Sequence, residues 1–328
     1  MRNLLTDVAG VAVGHATDLV LGSGVTAILF DRPAVASGVV LGGAPGSRDT
    51  ALLEPEMTVQ RVDAFVLSGG SVFGLDAAGE VQAWLRAQGR GLDIRGALVP
   101  IVPQAIIFDL LNGGDKDWGL FPPYRDLGHA AAGAATHGAF ALGTVGAGAG
   151  GTTATVKGGT GSASAVTGRG HVVGAVVAVN AVGTATIGDG AHFWAAPYEV
   201  GSEFGGRGWP AAITPADLAL RIKGQTPATT IAVVATDAIL TKPQVKRLAI
   251  MANDGLARAI LPAHAPMDGD TVFAAATCRR PTEDADLTEL GHVAALVLAR
   301  AIARGVYEAT ALPCAGALPS WQDRFGRG

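Results

Sequence analysis

Residues 225–238 read QTPATTIAVVATDA. Pro227 and Ala228 lead into two adjacent threonines, Thr229 and Thr230, and then into the apolar run Ile231 to Ala235. A run this short and rich in β-branched residues is the pattern of a buried strand. Threonine suits a strand by its branching, and its hydroxyl can bond locally. Whether this pair does more than that depends on the rest of the chain.

Outward from that strand, GVTAILF (24–30) and ASGVVLGG (36–43) read as strands, and DAFVLSGGS (63–71) as a strand ending in a glycine turn. FGLDAAGEVQAWLRAQGRG (73–91) reads as a helix with Leu75, Ala78, Val81 and Leu85 on one face and Gly89 as its stop. ALVPIVPQAIIFDL (97–110) predicts a further strand, GHAAAGAATHGAFALG (128–143) a small-residue helix, and PADLALRIKG (215–224) another helix. HVVGAVVAVNAVGTATIGDG (171–190) reads as two strands about a turn at Asn180; its four glycines and polar break argue against a membrane helix. KPQVKRLAIMANDGLARAI (242–260) and DLTELGHVAALVLARAIARGVYEAT (286–310) are amphipathic helices separated by the strand TVFAAAT (271–277). Strands outnumber crossovers, which disfavours a simple parallel sheet. The expected class is α/β (α+β): two packed mixed β-sheets flanked by helices, a layered αββα sandwich. No repeat or low-complexity linker marks a boundary, so residues 1–328 are read as one domain.

Of the 328 residues, 49% are hydrophobic and only 16% charged, against about 25% charged in ordinary soluble domains. Much surface is therefore expected to be hidden between subunits, in a homo-oligomer. The net charge of -4, with no block of Lys or Arg, lacks the footprint of a nucleic-acid binder. Two cysteines, Cys278 and Cys314, form neither a disulfide framework nor a CxxC pair. The start MRNLLTDVAG is broken by Asp7 and is too short for a signal core. The expectation is a soluble, cytoplasmic protein with no membrane partner.

The 47 glycines have no collagen-like period and must serve turns and close backbone approaches. Gly146, Gly148 and Gly151 satisfy G-x-G-x-x-G, but the residues that follow do not open a helix and no acidic residue lies about 20 positions on. Lys157 sits between Val156 and Gly158, which is not a phosphate-binding loop. It is a lone lysine in a nearly chargeless stretch: either it snorkels from a turn, or it is buried beside a carboxylate and available for catalysis. Asp268 and Asp270, two apart before a strand, form an ordinary turn or a same-side carboxylate pair that needs a cation. With His264 they match no strong metal pattern, so neither a metal nor another cofactor is expected. Asn180 is a turn residue or an amide donor for an oxyanion. LSGGS and TGSAS are not G-x-S-x-G elbows, and Cys278 lacks a nucleophile signature.

Taken together, GVAVGHATD (10–18), LSGGSVFGLDAAGEVQAWL (67–85), VPQAIIFDL (102–110), VKGGTGSAS (156–164), VVAVNAVG (176–183), TTIAVVATDAILTKPQVKRLA (229–249) and HAPMDGDTVFAAAT (264–277) resemble, in order, the segments of the L-aminopeptidase/D-esterase family of self-cleaving hydrolases. That family includes β-aminopeptidases and nylon-oligomer hydrolases, and the likeness runs from about residue 5 to 310. The resemblance implies an Ntn-hydrolase-like fold and an N-terminal nucleophile made by cutting Ala228–Thr229, giving chains 1–228 and 229–328. Thr229 would be the nucleophile, its freed α-amino group the base. Asn180 would stabilise the oxyanion, Lys157 would tune the nucleophile or amine, and Asp268 and Asp270 would orient the new N-terminus, with Lys157 and the Thr229 ammonium as their cations. Substrates would be small peptides, amino-acid amides or related amides, and the assembly a tetramer. Two positions depart from relatives. Ala228 stands where Asn is frequent, and Phe108, a candidate for the substrate pocket, where some carry Tyr. Ornithine acetyltransferase-like acyl transfer, which also involves a cut within Ala-Thr, is the alternative enzyme reading; an unprocessed binding protein is the third.

Overall fold

The computed structural model describes residues 1–224 and 226–326. Its strands are β1 (Val11–Asp18), β2 (Ser23–Val40), β3 (Ser47–Arg48), β4 (Arg61–Ser68), β5 (Leu92–Ile94), β6 (Ala97–Val99), β7 (Gln104–Ile106), β8 (Thr160–Val166), β9 (Val172–Asn180), β10 (Thr229–Ala238) and β11 (Thr271–Arg280). The helices are α1 (Ala77–Ala87), α2 (Tyr124–Gly133), α3 (Lys242–Ala259), α4 (Asp286–Tyr307) and α5 (Trp321–Phe325).

Nine strands form one hydrogen-bonded path, β3-β7-β4-β2-β11-β10-β9-β8, with β1 also on β2; β5 and β6 make a separate hairpin. The path folds into two layers because β2 is bent. Its first half pairs with β1 and β4 and its second half with β11, while the β4 ladder breaks between Leu29 and Ala34 and ends at Val35. Exposed Asp31, Arg32 and Pro33 fill the bend, where a proline without an N–H costs no ladder bond.

Strand alternation then sorts the side chains into three cores. Ile231, Val233 and Ala235 of β10, Val176 and Ala178 of β9, and Phe273 and Ala275 of β11 meet Ile28, Phe30, Phe65, Leu67, Val11 and Val13 of the other layer. Phe65 and Phe273 stack across this gap with centroids 4.7 Å apart. The opposite residues, Ala232, Val234, Val177, Val179, Val272 and Ala274, face α3 and α4. Ala27, Leu29, Ala64 and Val66 face α1 and α2. The result is the expected αββα order.

Several local readings need correction. Residues 24–43 hold one bent strand rather than two. Residues 171–190 hold one strand, β9, with Asn180 as its last residue rather than a turn between two strands. The stretch 97–110 breaks into β6 and β7, which belong to different sheets. The small-residue helix begins earlier, at Tyr124, and stops at Gly133. No helix forms over 215–224: Asp217 accepts from the N–H and hydroxyl of Thr214 at 2.8 and 2.7 Å in a local turn, and Leu218 and Leu220 have no face to pack on. The helix α4 is apolar enough and long enough to cross a membrane, but it is a mostly buried core helix packed on α3, β8 and β9.

Candidate active site

The site lies at one end of the inter-sheet layer. Thr229 opens β10 and is paired in antiparallel register with Asn180, the last residue of β9. Both continue the alternation that faces the other sheet, and both are buried. The hydroxyl of Thr229 donates to the carbonyl oxygen of Ala228. That oxygen also accepts from the amide of Gly269 at 2.9 Å. Ala228 and Asp268 form a parallel bridge, which brings the Asp268–Asp270 turn alongside the Ala228–Thr229 bond. Glycine is required there: a Cβ on Gly269 would lie 2.7 Å from Thr229 Oγ1.

The amide of Asn180 has a fixed orientation. Its Nδ2 donates to the carbonyl of Phe108 at 2.9 Å, and its Oδ1 accepts from the Thr152 amide at 3.1 Å and from Lys223 Nζ at 2.7 Å. One Nδ2 hydrogen is left over. Phe108 thus contributes a backbone acceptor, and it also lines a cavity of about 460 Å³ beside the site. The glycine-rich run lets the Thr152 loop lie flush on β9. A Cβ on Gly151 or Gly158 would strike the Val179 carbonyl at 2.3 or 2.0 Å.

Lys157 is buried and donates to the carbonyls of Gly148 and Gly158 at 3.2 and 2.8 Å. Burial, with the like charge of Lys223, pulls its ammonium down to about 7 against the attraction of Asp109. The expected pairing of Lys157 with Asp268 and Asp270 is therefore corrected. Lys157 is answered by Asp109, because the hairpin that carries it directs its stem toward the Gly148 turn. Asp109 accepts from Ser23 Oγ at 2.7 Å and from the amide of Gly70 at 2.8 Å; Gly70 reaches it from φ 85°. Burial nevertheless raises the Asp109 carboxyl.

Asp268 and Asp270 have different surroundings. Asp270 accepts from the Thr230 amide at 2.7 Å and, through its other oxygen, from the His264 amide and Nδ1 at 3.0 and 2.9 Å. His264 thus braces a carboxylate, and among the described residues no group of three His, Cys, Asp or Glu is placed to hold a metal ion. Neither oxygen of Asp268 makes a well-formed hydrogen bond among the described residues, and the Asp270 carboxyl and the Gly269 amide lie beside it. Burial first, then the charge of Asp270, pushes Asp268 up to about 8, against the pull of Lys223. Lys223 is half-buried; its ammonium is held by three oxygen acceptors and burial pulls it down to about 7. Cys278 lies away from the site, near Arg32 and Arg61 at the far end of β11.

Asp109, Lys223, Thr152 and Gly269 were not singled out from the sequence. Asp109 and Gly269 lie within the FDL and DGD segments, whereas Lys223 lies in a stretch whose apolar pattern predicts a helix.

This constellation has a hydroxyl on the carbonyl that precedes it, a backbone donor on the same oxygen, an amide with a spare hydrogen and a buried lysine. It suits acyl transfer to Thr229. The model of peptidase family S58 matches residues 3–317. The chain belongs to peptidase family S58. An uncharacterized aminopeptidase of Mycobacterium tuberculosis is 41% identical over 347 residues, covering 98% of each chain. Among solved structures, a Burkholderia sp. β-aminopeptidase has a TM-score of 0.70 at 23% identity, covering 99% of this chain and 92% of its own. The L-aminopeptidase D-Ala-esterase/amidase of Ochrobactrum anthropi, a variant of the Ntn-hydrolase fold, has a TM-score of 0.70 at 21% identity, covering 99% and 95%. This S58 chain therefore has the Ntn-hydrolase fold and is a hydrolase of the peptidase type.

Proposed function

We propose that this chain is an aminopeptidase that cuts itself between Ala228 and Thr229 and then uses Thr229 as its nucleophile on small peptides and amino-acid amides. The observation that carries the reading is the Ala228 carbonyl, which receives both the Thr229 hydroxyl and the Gly269 amide. In the first stage Thr229 Oγ1 bonds to the Ala228 carbonyl carbon, and the C–N bond breaks. The hydroxyl proton ends on the departing nitrogen. Water then hydrolyses the resulting ester, leaving a carboxylate on Ala228 and a free α-amino group on Thr229. An unperturbed α-amino group has a pKa of about 8, suited to accept the Oγ1 proton in later turnovers.

In the second stage the substrate's acyl group passes to Oγ1, its amine leaves with the proton, and water releases the acid. The spare Nδ2 hydrogen of Asn180 is the side-chain donor for the developing oxyanion. Asp270, fixed by His264 and Thr230, braces the strand end on which the new N-terminus sits.

Intact mass under denaturing conditions, with Thr229→Ala alongside, tests the first stage. Two fragments meeting at Ala228–Thr229 and absent from the variant are expected; one unbroken wild-type chain overturns the reading. Release of amine from a panel of amino-acid amides tests the second.

A further inference from the structure

Lys223 stands five positions before Ala228 and places a cation among oxygen atoms. Its Nζ donates to Asn180 Oδ1 at 2.7 Å and to the carbonyl oxygen and Oγ1 of Thr152, both at 3.0 Å. A primary ammonium has three donors, and here each meets one acceptor. Asp268, when ionised, favours the charged form of this lysine. The same lysine forms part of the wall of the 460 Å³ cavity, with Phe108, Asn112 and Thr226. Of these four, only Lys223 and Thr226 lie on the segment that a cut after Ala228 turns into a free chain end.

We propose that the oxygen cluster of Thr152 and Asn180 is the subsite for the substrate's primary ammonium group, and that Lys223 occupies it in the uncut chain as an internal stand-in. This rests on the reading of the chain as a self-cleaved aminopeptidase. Once the segment is free to leave, the vacated place still offers three acceptors and a nearby carboxyl group. An acylated nitrogen brings one N–H and no charge, so two oxygens lose their donors. The subsite also shares a side chain with the chemistry. A cation on Asn180 Oδ1 polarises the amide and strengthens its Nδ2–H as a donor to the oxyanion. Amine recognition and carbonyl activation are thereby coupled, which confines cleavage to the first bond of a peptide.

The direct test uses Thr229→Ala/Lys223→Ala, which cannot cut itself and lacks the stand-in. Calorimetric titration with n-propylammonium is expected to give saturable one-to-one binding. Thr152→Val should weaken it about tenfold, the loss of one hydrogen bond to a charged group, and Thr152→Ser should restore it. 1-Propanol should not bind. No saturable binding, or binding indifferent to Thr152→Val, overturns the subsite. In wild-type enzyme, N-acetyl-L-alaninamide is expected to show a kcat/KM about 100-fold or more below that of L-alaninamide. Equal values overturn the subsite while leaving the self-cleaved hydrolase intact. A wild-type chain that stays whole and hydrolyses neither amide overturns the functional reading instead, and the propylammonium titration still decides the subsite.

Discussion

The amide of Gly269 donates to the carbonyl oxygen of Ala228 at 2.9 Å, so the bond ahead of Thr229 is polarised by a backbone donor from the neighbouring loop. A methyl group at 269 would meet Thr229 Oγ1 at 2.7 Å and the Ala44 carbonyl at 2.8 Å. Gly269→Ala should therefore cost about 1–3 kcal/mol of stability, as overpacking does. It should slow self-cleavage by about 100-fold or more by shifting both the donor and the hydroxyl. The uncut fraction on denaturing gels over time measures this, and cutting at the wild-type rate would remove Gly269 from the machinery.

Asn180→Ala removes the Nδ2 donor but leaves the Thr229 strand pairing to the backbone. On the proposed mechanism, kcat for amide hydrolysis falls by about 10² to 10³, the usual worth of one oxyanion donor. Cleaved enzyme is needed for this comparison, so the variant is assayed after its slower processing is complete. A change confined to KM would assign Asn180 to binding alone.

The buried carboxyl of Asp268 gives a signed pH effect. Its folded value of about 8 lies above its ordinary 3.8, so it holds its proton better folded than unfolded. Its contribution to stability is full below about pH 4 and is lost as pH rises through 8. Asn in its place does not titrate. In a Thr229→Ala background, thermal unfolding of Asp268→Asn relative to Asp268 should shift upward between pH 5 and 8. A constant difference in Tm across that range would contradict the assignment.

Phe273 stacks on Phe65 from the opposite sheet, and it lies on the strand that follows Asp270. Phe273→Ala should cost about 3–5 kcal/mol, read from the midpoint of urea unfolding at unchanged slope. A loss under about 1 kcal/mol would mean that the two layers close over the gap.

The elements that could be read from the sequence were those whose signal is local. The run after Thr230 is apolar and β-branched, and α3 and α4 carry a clear helical period, so their type follows from the local pattern alone. The bend in β2 did not, because Asp31, Arg32 and Pro33 look like a loop between two strands when the partner ladders are out of sight. Residues 215–224 carry an apolar pattern with nothing to pack on, and the Asp217–Thr214 turn prevails over it. At the site, Thr229, Asn180 and the two aspartates stood out through their motifs. Lys223 and Asp109 did not, since what gives each of them meaning is a charge far away in sequence: Asp268 for one and Lys157 for the other.

The strand order has a consequence for the fate of the two fragments. Strands β10 and β11 lie between β9 and β2, both of which belong to residues 1–228. A cut at Ala228–Thr229 therefore leaves the shorter piece laced into the longer one along two full ladders, with α3 and α4 closing over it. Severing the peptide frees the segment before Ala228 but leaves both ladders whole, so the two fragments should migrate as one particle and part only when the whole sheet melts.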